Sequence, residues 1–483
     1  MRLFSKLLFV FIFISVKISA QEKWNLKTCV EFAINNNIAV RQSQIQSELS
    51  SLTFKQSKLS LYPNFSFGGS TAYNSGNNQD PTTFSRVTEN YLSAGMQLQS
   101  SADIFNFFSK RNLIAANQWS LMAAMADVNK IKSDIALSTA NAYLQILLAN
   151  EQEKIVTVQV NQSQVQLSNT LKLVEAGSLP ELNATQLEAQ LAVDSGTLIS
   201  AKGNVAQAVL SLKLLMSIDA DKEFDYETTP VESIPIESIA DLQPDFVYAQ
   251  AIKNLPQQIG NEYKLKAAQK NKQSAKGSLY PSLGAFGNLS SNYLSFSKRP
   301  VFSKTFSNYE STGLVADAGN GILYDVQSPV FNNGDIIGYI KPGSFGAQMN
   351  DNFRKSIGLS ISVPLFNSAS AKTYYEKSKL NIRSIELQKE QDNQKLKQDI
   401  YQAYNAAMVA LQKFNASTKS VEANQKSYDF ATKRFNIGAL SMYDLMSSQN
   451  NLLRAKLEFS INQFDYVFKM KVLEFYKGAG LKL

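Results

Sequence analysis

The chain has 483 residues, a formal charge of +8, one cysteine and no histidine. A single cysteine excludes an internal disulfide, and without histidine the commonest general base and metal ligand are missing, so neither an enzyme nor a cofactor is expected. Basic side chains are scattered among acidic ones, so the positive balance does not point to a nucleic-acid partner.

Arg2 and Lys6 precede the apolar run Leu7 to Val16 and the small residues ending at Ala20, the layout of a cleavable secretory signal over 1–20. The run is too short for a spanning helix, which needs ~20 residues. Cleavage leaves Gln21 first. The only cysteine is Cys29, so no N-terminal lipid anchor is expected. Loss of Arg2, Lys6 and Lys17 takes the charge from +8 to +5.

Beyond the signal the chain is duplicated. Ala33-Ile34-Asn35-Asn36 answers to Ala251-Ile252-Lys253-Asn254, and Leu61-Tyr62-Pro63 to Leu279-Tyr280-Pro281, both 218 residues on. Phe105-Asn106 answers to Phe366-Asn367, and Ala176-Gly177 to Ile437-Gly438, both 261 residues on. The offset grows from 218 to 261, so 43 extra residues lie between Pro281 and Phe366. The sequence therefore divides into a first repeat, 21–218, a connector, 219–244, and a second repeat, 245–483, with one enlarged loop at 294–353.

Each repeat opens with an amphipathic segment, about Leu26 to Leu61 and about Asp245 to Leu279. Sequence of period two comes next: Asn64 to Tyr73 around Phe65 and Phe67, Tyr91 to Gln99 with Leu92, Ala94, Met96 and Leu98 on one face, Ser282 to Tyr293, and Ile357 to Leu365. Alternation over ~10 residues with aromatics near the ends is the pattern of a transmembrane β-strand, although one such segment alone also fits a half-buried strand of a soluble sheet. Four segments at repeat-related positions favour the membrane. Four strands cannot close a barrel and open edges are forbidden in lipid, so the simplest closed solution is a trimer sharing twelve strands. The loops at 74–90 and 294–353, rich in Gly, Asn, Ser and Thr, then face outward.

Neither Phe107 to Ala176 nor Ser368 to Ile437 contains Gly or Pro. In the second span Leu396, Ile400, Tyr404, Ala407, Leu411 and Phe414 recur at helical spacing without strict heptads, which fits side-by-side helix packing. Each span stops at a glycine and restarts at once, at Gly177-Ser178-Leu179-Pro180 and at Gly438-Ala439-Leu440-Ser441, which makes antiparallel hairpins. The returning helices, about Pro180 to Ile218 and about Ser441 to Lys477, are half as long as their partners. End to end with an opening helix, each covers one long helix in a two-layer stack. Arg434, one turn before Gly438, can bond the last carbonyls or a partner; Leu173 holds the equivalent place. The connector is acidic and contains Pro230, Pro235 and Pro244, so it is read as lying across the outside of the helices.

These residues resemble the TolC-like outer membrane efflux proteins. The Leu-Tyr-Pro before each first strand, Pro364-Leu365-Phe366-Asn367, and Arg434-Phe435-Asn436-Ile437-Gly438 followed by Asp444-Leu445 carry the resemblance, which runs from Trp24 to the C-terminus. It implies a mainly α fold with transmembrane β, in which long helical hairpins form a trimeric α-barrel continuous with a shared β-barrel in outer membrane lipid. It also implies a tube crossing the periplasm and docking with a periplasmic adaptor and an inner-membrane pump. An acidic residue early in the last returning helix would line the mouth, and Asp444 matches that place. Ser447 stands where a second acid is common, and Asn183 is the first-copy counterpart of Asp444. Helix-terminus electrostatics, worth ~0.3 to 1 kcal/mol, is the plainer account of Asp444. Gly177, Gly438, Arg434 and Leu440 would meet the adaptor.

The function expected is a passive exit duct in the outer membrane, serving tripartite efflux or type I secretion. No Gly-rich phosphate loop is visible, so a partner supplies the energy. The alternative is an adhesive coiled-coil surface protein without a lumen, which the two glycine hairpins oppose.

Overall fold

A computed structural model describes residues 23–79, 86–295, 299–319, 321–341 and 343–478. The predicted signal at 1–20 lies outside them. In chain order the elements are α1 (Leu26–Asn36), α2 (Ile38–Leu59), β1 (Asn64–Gln79), β2 (Arg86–Phe105), α3 (Ser109–Glu175) and α4 (Glu181–Met216). After two short 3-10 turns come α5 (Pro244–Asn254), α6 (Pro256–Gly277), β3 (Ser282–Leu294), β4 (Arg299–Asp317), β5 (Leu323–Ile340), α7 (Phe345–Asp351), β6 (Arg354–Ser362), α8 (Ser370–Asn436) and α9 (Met442–Tyr476). They fall into two compact units. Among the described residues one comprises 23–55, 113–272 and 376–478, and the other 56–112 and 273–375.

Helix lengths repeat between the copies. α1 and α2 have 11 and 22 residues, as have α5 and α6; α3 and α8 have 67 each; α4 has 36 and α9 has 35. The amphipathic pattern predicts a single helix for each opening segment, but both are broken once, at matching places. In the first copy Asn37, with ψ 133°, leaves the helix, and its Oδ1 accepts from the Ala39 N–H at 2.8 Å. In the second, Pro256 forces Leu255 out of the α region, to ψ 130°.

The first unit is helical, and its core lies where opening and returning helices meet a long one. Cys29 and Ala33 of α1 pack with Tyr143, Ile146 and Leu147 of α3 and Leu212 and Met216 of α4. Asn37 Nδ2 ties this corner to the last turn of α4 through Leu215 O at 2.8 Å. The second copy repeats the arrangement with Val247 and Ala251 of α5, Ile400 and Ala403 of α8, and Met470 and Leu473 of α9. The connector is fastened over these corners. Trp24 and Tyr226 form an isolated parallel bridge. Buried Lys471 donates to Pro235 O at 2.5 Å and pairs with Glu474 at 2.9 Å, while Glu474 Oε1 accepts from the Glu237 N–H at 2.7 Å.

The second unit holds an antiparallel sheet in the order β1-β2-β3-β6, with β1 and β6 at its edges. The register puts both strand-to-strand connections, 79–86 and 294–354, at one end of the sheet. The chain passes between strands and helices at the other. Before α3 and α8 the backbone makes the same turn through two left-handed residues, Phe107 and Phe108 (φ 46° and 61°) and Ser368 and Ala369 (φ 55° and 59°). Gly277 closes against the first of these turns: a Cβ there would lie 2.9 Å from Phe107 O and from Ser109 Cβ. Segment 294–353, expected as a loop, instead contains a two-stranded ribbon, β4 paired with β5, and the short helix α7. The 43 residues inserted between Pro281 and Phe366 are accounted for by that ribbon, whose strands bound 299–340.

Candidate channel site: hairpin tips and a two-faced sheet

Both hairpins end in the same way. Gly177 takes φ 71°; its N–H donates to Val174 O at 2.8 Å and the Ser178 N–H to Leu173 O at 2.8 Å. Gly438 takes φ 77°; its N–H donates to Phe435 O at 2.9 Å and the Ala439 N–H to Arg434 O at 2.8 Å. This paired pattern satisfies the last carbonyls of each long helix and needs a left-handed residue, which glycine supplies without penalty.

At the second tip Ser441 caps α9. Its Oγ accepts from the Asp444 N–H at 3.2 Å and donates to Asp444 Oδ2 at 2.6 Å. Asp444 is thus held in the first turn of α9, where a carboxylate complements the helix N-terminus, and it remains exposed. Ser447, one turn on, is exposed as well. Arg434 bonds its own turn, donating from Nη2 to Ala439 O at 3.3 Å. At the first tip Pro180 occupies the cap position without a side-chain bond, and Asn183 is half-buried in the first turn of α4. No hydrogen bond or ion pair joins Asn183 to Asp444 among the described residues.

The two tips are packed together. Leu187 of α4 is buried with Ala431 of α8 and with Met442 and Leu445 of α9. Leu440, expected at the docking tip, is half-buried against this cluster. Beside it, Val158, Val165 and Leu173 of α3 face Tyr428, Thr432 and Phe435 of α8 across an open groove of 520 Å³.

A polar junction farther along the hairpins was missed in the sequence. Asp194 of α4 is 2% exposed. Its Oδ2 accepts from Ser163 Oγ at 2.5 Å and its Oδ1 from Gln190 Nε2 at 2.8 Å. Ser163 also accepts from Gln449 Nε2 at 3.2 Å, and Gln190 exchanges bonds with Asn450 at 3.2 and 3.3 Å. The first hairpin is thereby bonded to α9 of the second. The signal was present: Leu187, Asp194 and Ala201, spaced by seven, are all buried, so the acid sits on the packing line of α4.

In the sheet, alternation and register separate two faces. Phe65, Phe67 and Tyr73 of β1, Met96 and Leu98 of β2, and Ile357, Leu359 and Ile361 of β6 lie on one, and all are exposed; Ile357 is 91% exposed. The other face is mostly polar, with Phe286 an exposed exception. Ser66, Ser70, Gln97, Gln99, Asn292 and Arg354 line a concavity of 850 Å³. Among the described residues no helix is long and apolar enough to cross a membrane, and no cluster of metal-ligating side chains occurs.

Two helical hairpins per chain, joined to a four-stranded sheet with one apolar and one polar face, define the class of TolC-like outer membrane channels. Solved structures share this fold. CusC, described by its crystal structures in terms of folding and transmembrane channel formation, is similar with TM-score 0.74 and 16% identity over 94% of this chain and 92% of that one. The outer membrane channel CmeC of Campylobacter jejuni is similar with TM-score 0.70 and 17% identity, over 95% of this chain and 86% of that one. The chain belongs to the outer membrane efflux protein family, whose sequence model matches residues 30–217 and 247–466. Its relatives include the outer membrane efflux protein BepC of Brucella suis, 20% identical over 82% of this chain and 73% of BepC. The probable outer membrane lipoprotein SilC of Salmonella typhimurium is 25% identical over 54% of this chain, and the match spans 54% of SilC.

Proposed function

We propose that three copies of this chain form a passive exit duct in the outer membrane. They close one twelve-stranded β-barrel and one helical tube in the periplasm, and an inner-membrane pump feeds the tube through a periplasmic adaptor. The observation that carries this reading is the sheet, whose exposed apolar face and two unpaired edges, β1 and β6, suit lipid on one side and the next copy on each edge. A barrel leaves no edge in lipid, and four strands are too few to close one. Membership in the efflux family supports the same reading.

In this assembly the tips form the mouth, with Asp444, Ser447 and Asn183 around the constriction. Gly177, Gly438, Arg434 and Leu440 form the surface that meets the adaptor. Three Asp444 carboxylates repel one another and attract cations, so the closed mouth is cation-selective. Single-channel recording of the purified trimer tests the reading. Asp444→Ala is expected to lower cation preference and relieve block by multivalent cations; unchanged selectivity and block remove Asp444 from the mouth. A chain that purifies from the outer membrane as a monomer ends the shared-barrel reading altogether.

A further inference from the structure

We propose that the ribbon β4–β5 is a contact between subunits, packing against the ribbons of neighbouring copies at the rim of the assembled channel. The inference rests on the shared-barrel reading and adds to it a second, separate interface. Among the described residues the ribbon forms a sheet of its own with no third strand. Two strands alone are marginally stable in water, and both outer edges of such a ribbon present bare N–H and C=O groups. Its side chains are also uncovered. Phe306, Tyr309 and Phe331 cluster, with centroids 5.0 and 6.2 Å apart, yet remain 52%, 60% and 52% exposed. Leu314, Val315 and Leu323, toward the turn, are exposed by 66%, 61% and 65%.

Lipid does not suit this surface, because the bare edges would go unsatisfied there. Protein must cover it, and connectivity says which protein. The ribbon joins β3 to the edge strand β6, where the next copy adds its β1. The chain that follows the ribbon is fixed to the sheet: Gln348 of α7 exchanges bonds with the Leu294 backbone at 3.1 and 3.0 Å, and Asn352 Nδ2 donates to Asn292 O at 2.8 Å. Every copy therefore delivers an identical ribbon beside the seam it shares with its neighbour. Tethered in this way, the ribbons meet at effective concentrations on the order of millimolar, which an untethered partner does not match.

The test is Tyr309→Cys in the full chain, treated with a short bismaleimide in isolated outer membranes, with the unsubstituted chain as the control for buried Cys29. A band at twice the protomer mass is expected, because the single accessible thiol of each copy can enter only one link. A chain that is trimeric by light scattering but yields no such band, or that links to a protein of another mass, overturns the ribbon contact and leaves the barrel standing. A monomeric chain overturns both. In addition, replacing 299–340 by a Gly-Ser turn is expected to lower the dissociation temperature of the trimer in SDS. An unchanged dissociation temperature also overturns the contact.

Discussion

Asp444 and Asp194 are both acids on returning helices, yet their surroundings set them to different work. Asp444 is exposed and bonded within its own cap, so its removal acts through charge at the surface. Asp194 is enclosed, and Asp194→Ala leaves Ser163 and Gln190 facing an empty space. A loss of about 1–3 kcal/mol is expected, read by chemical denaturation, with Asp194→Asn costing less because one acceptor survives. Equal stability of all three proteins would show that the junction contributes nothing. Cys29 gives a second prediction. Burial pushes its thiol up from 9.0 to about 12, so the folded chain holds this proton more tightly than the unfolded chain. The linked stability is whole below about pH 9 and is lost as pH rises toward about 12. At pH 8 a maleimide is expected to label Cys29 only after unfolding; rapid labelling of the native protein contradicts this. The exposed acid was singled out because it follows a glycine turn in a recognisable string. The enclosed one was not, because a lone Asp among Gln and Ser reads as a solvated helix face until its spacing to Leu187 and Ala201 is noticed.

At the scale of elements, the hairpins, their glycine stops and the four strand positions were legible, since each has its own period or punctuation. The breaks in the opening segments were half legible. Pro256 announces one, whereas Asn37 breaks the other by side-chain bonds that no spacing reveals. The left-handed pairs before α3 and α8 were invisible, because Phe107-Phe108 and Ser368-Ala369 share a conformation and no chemistry. Geometry at the strand-to-helix corner dictates these turns, and Gly277 makes room for the first of them. Gly277→Ala brings a methyl group 2.9 Å from Phe107 O, and a destabilisation of about 1–3 kcal/mol in thermal or denaturant unfolding is expected. A neutral result would mean that the corner yields.

For the whole molecule, the ribbon shows where composition misleads. Its Gly, Asn, Ser and Thr content reads as loop, and register shifts such as those at Phe306/Asn308 and Ser311/Leu314 break the alternation that would have exposed two strands. The sheet proper keeps its alternation and was read as strands, but residues 74–79 and 86–90, expected as loop, extend β1 and β2, and β6 runs from Arg354 to Ser362, not from Ile357 to Leu365. Its apolar face also gives the prediction that belongs at this scale. Ile357→Arg puts a charge on the exposed apolar face at a cost of up to about 2–4 kcal/mol per copy if that face lies in lipid. Less protein in the outer membrane fraction is expected, whereas Ser356→Arg on the polar face is tolerated; equal recovery of both argues against a lipid-facing sheet. The matched lengths of α3 and α8 carry one last implication. One residue gained inside either rod would swing everything beyond it by about 100° and advance it about 1.5 Å, out of phase with its twin. Growth is therefore admitted where strands join, as the 43 residues gained between Pro281 and Phe366 attest, whereas a rod changes size only in step with its counterpart.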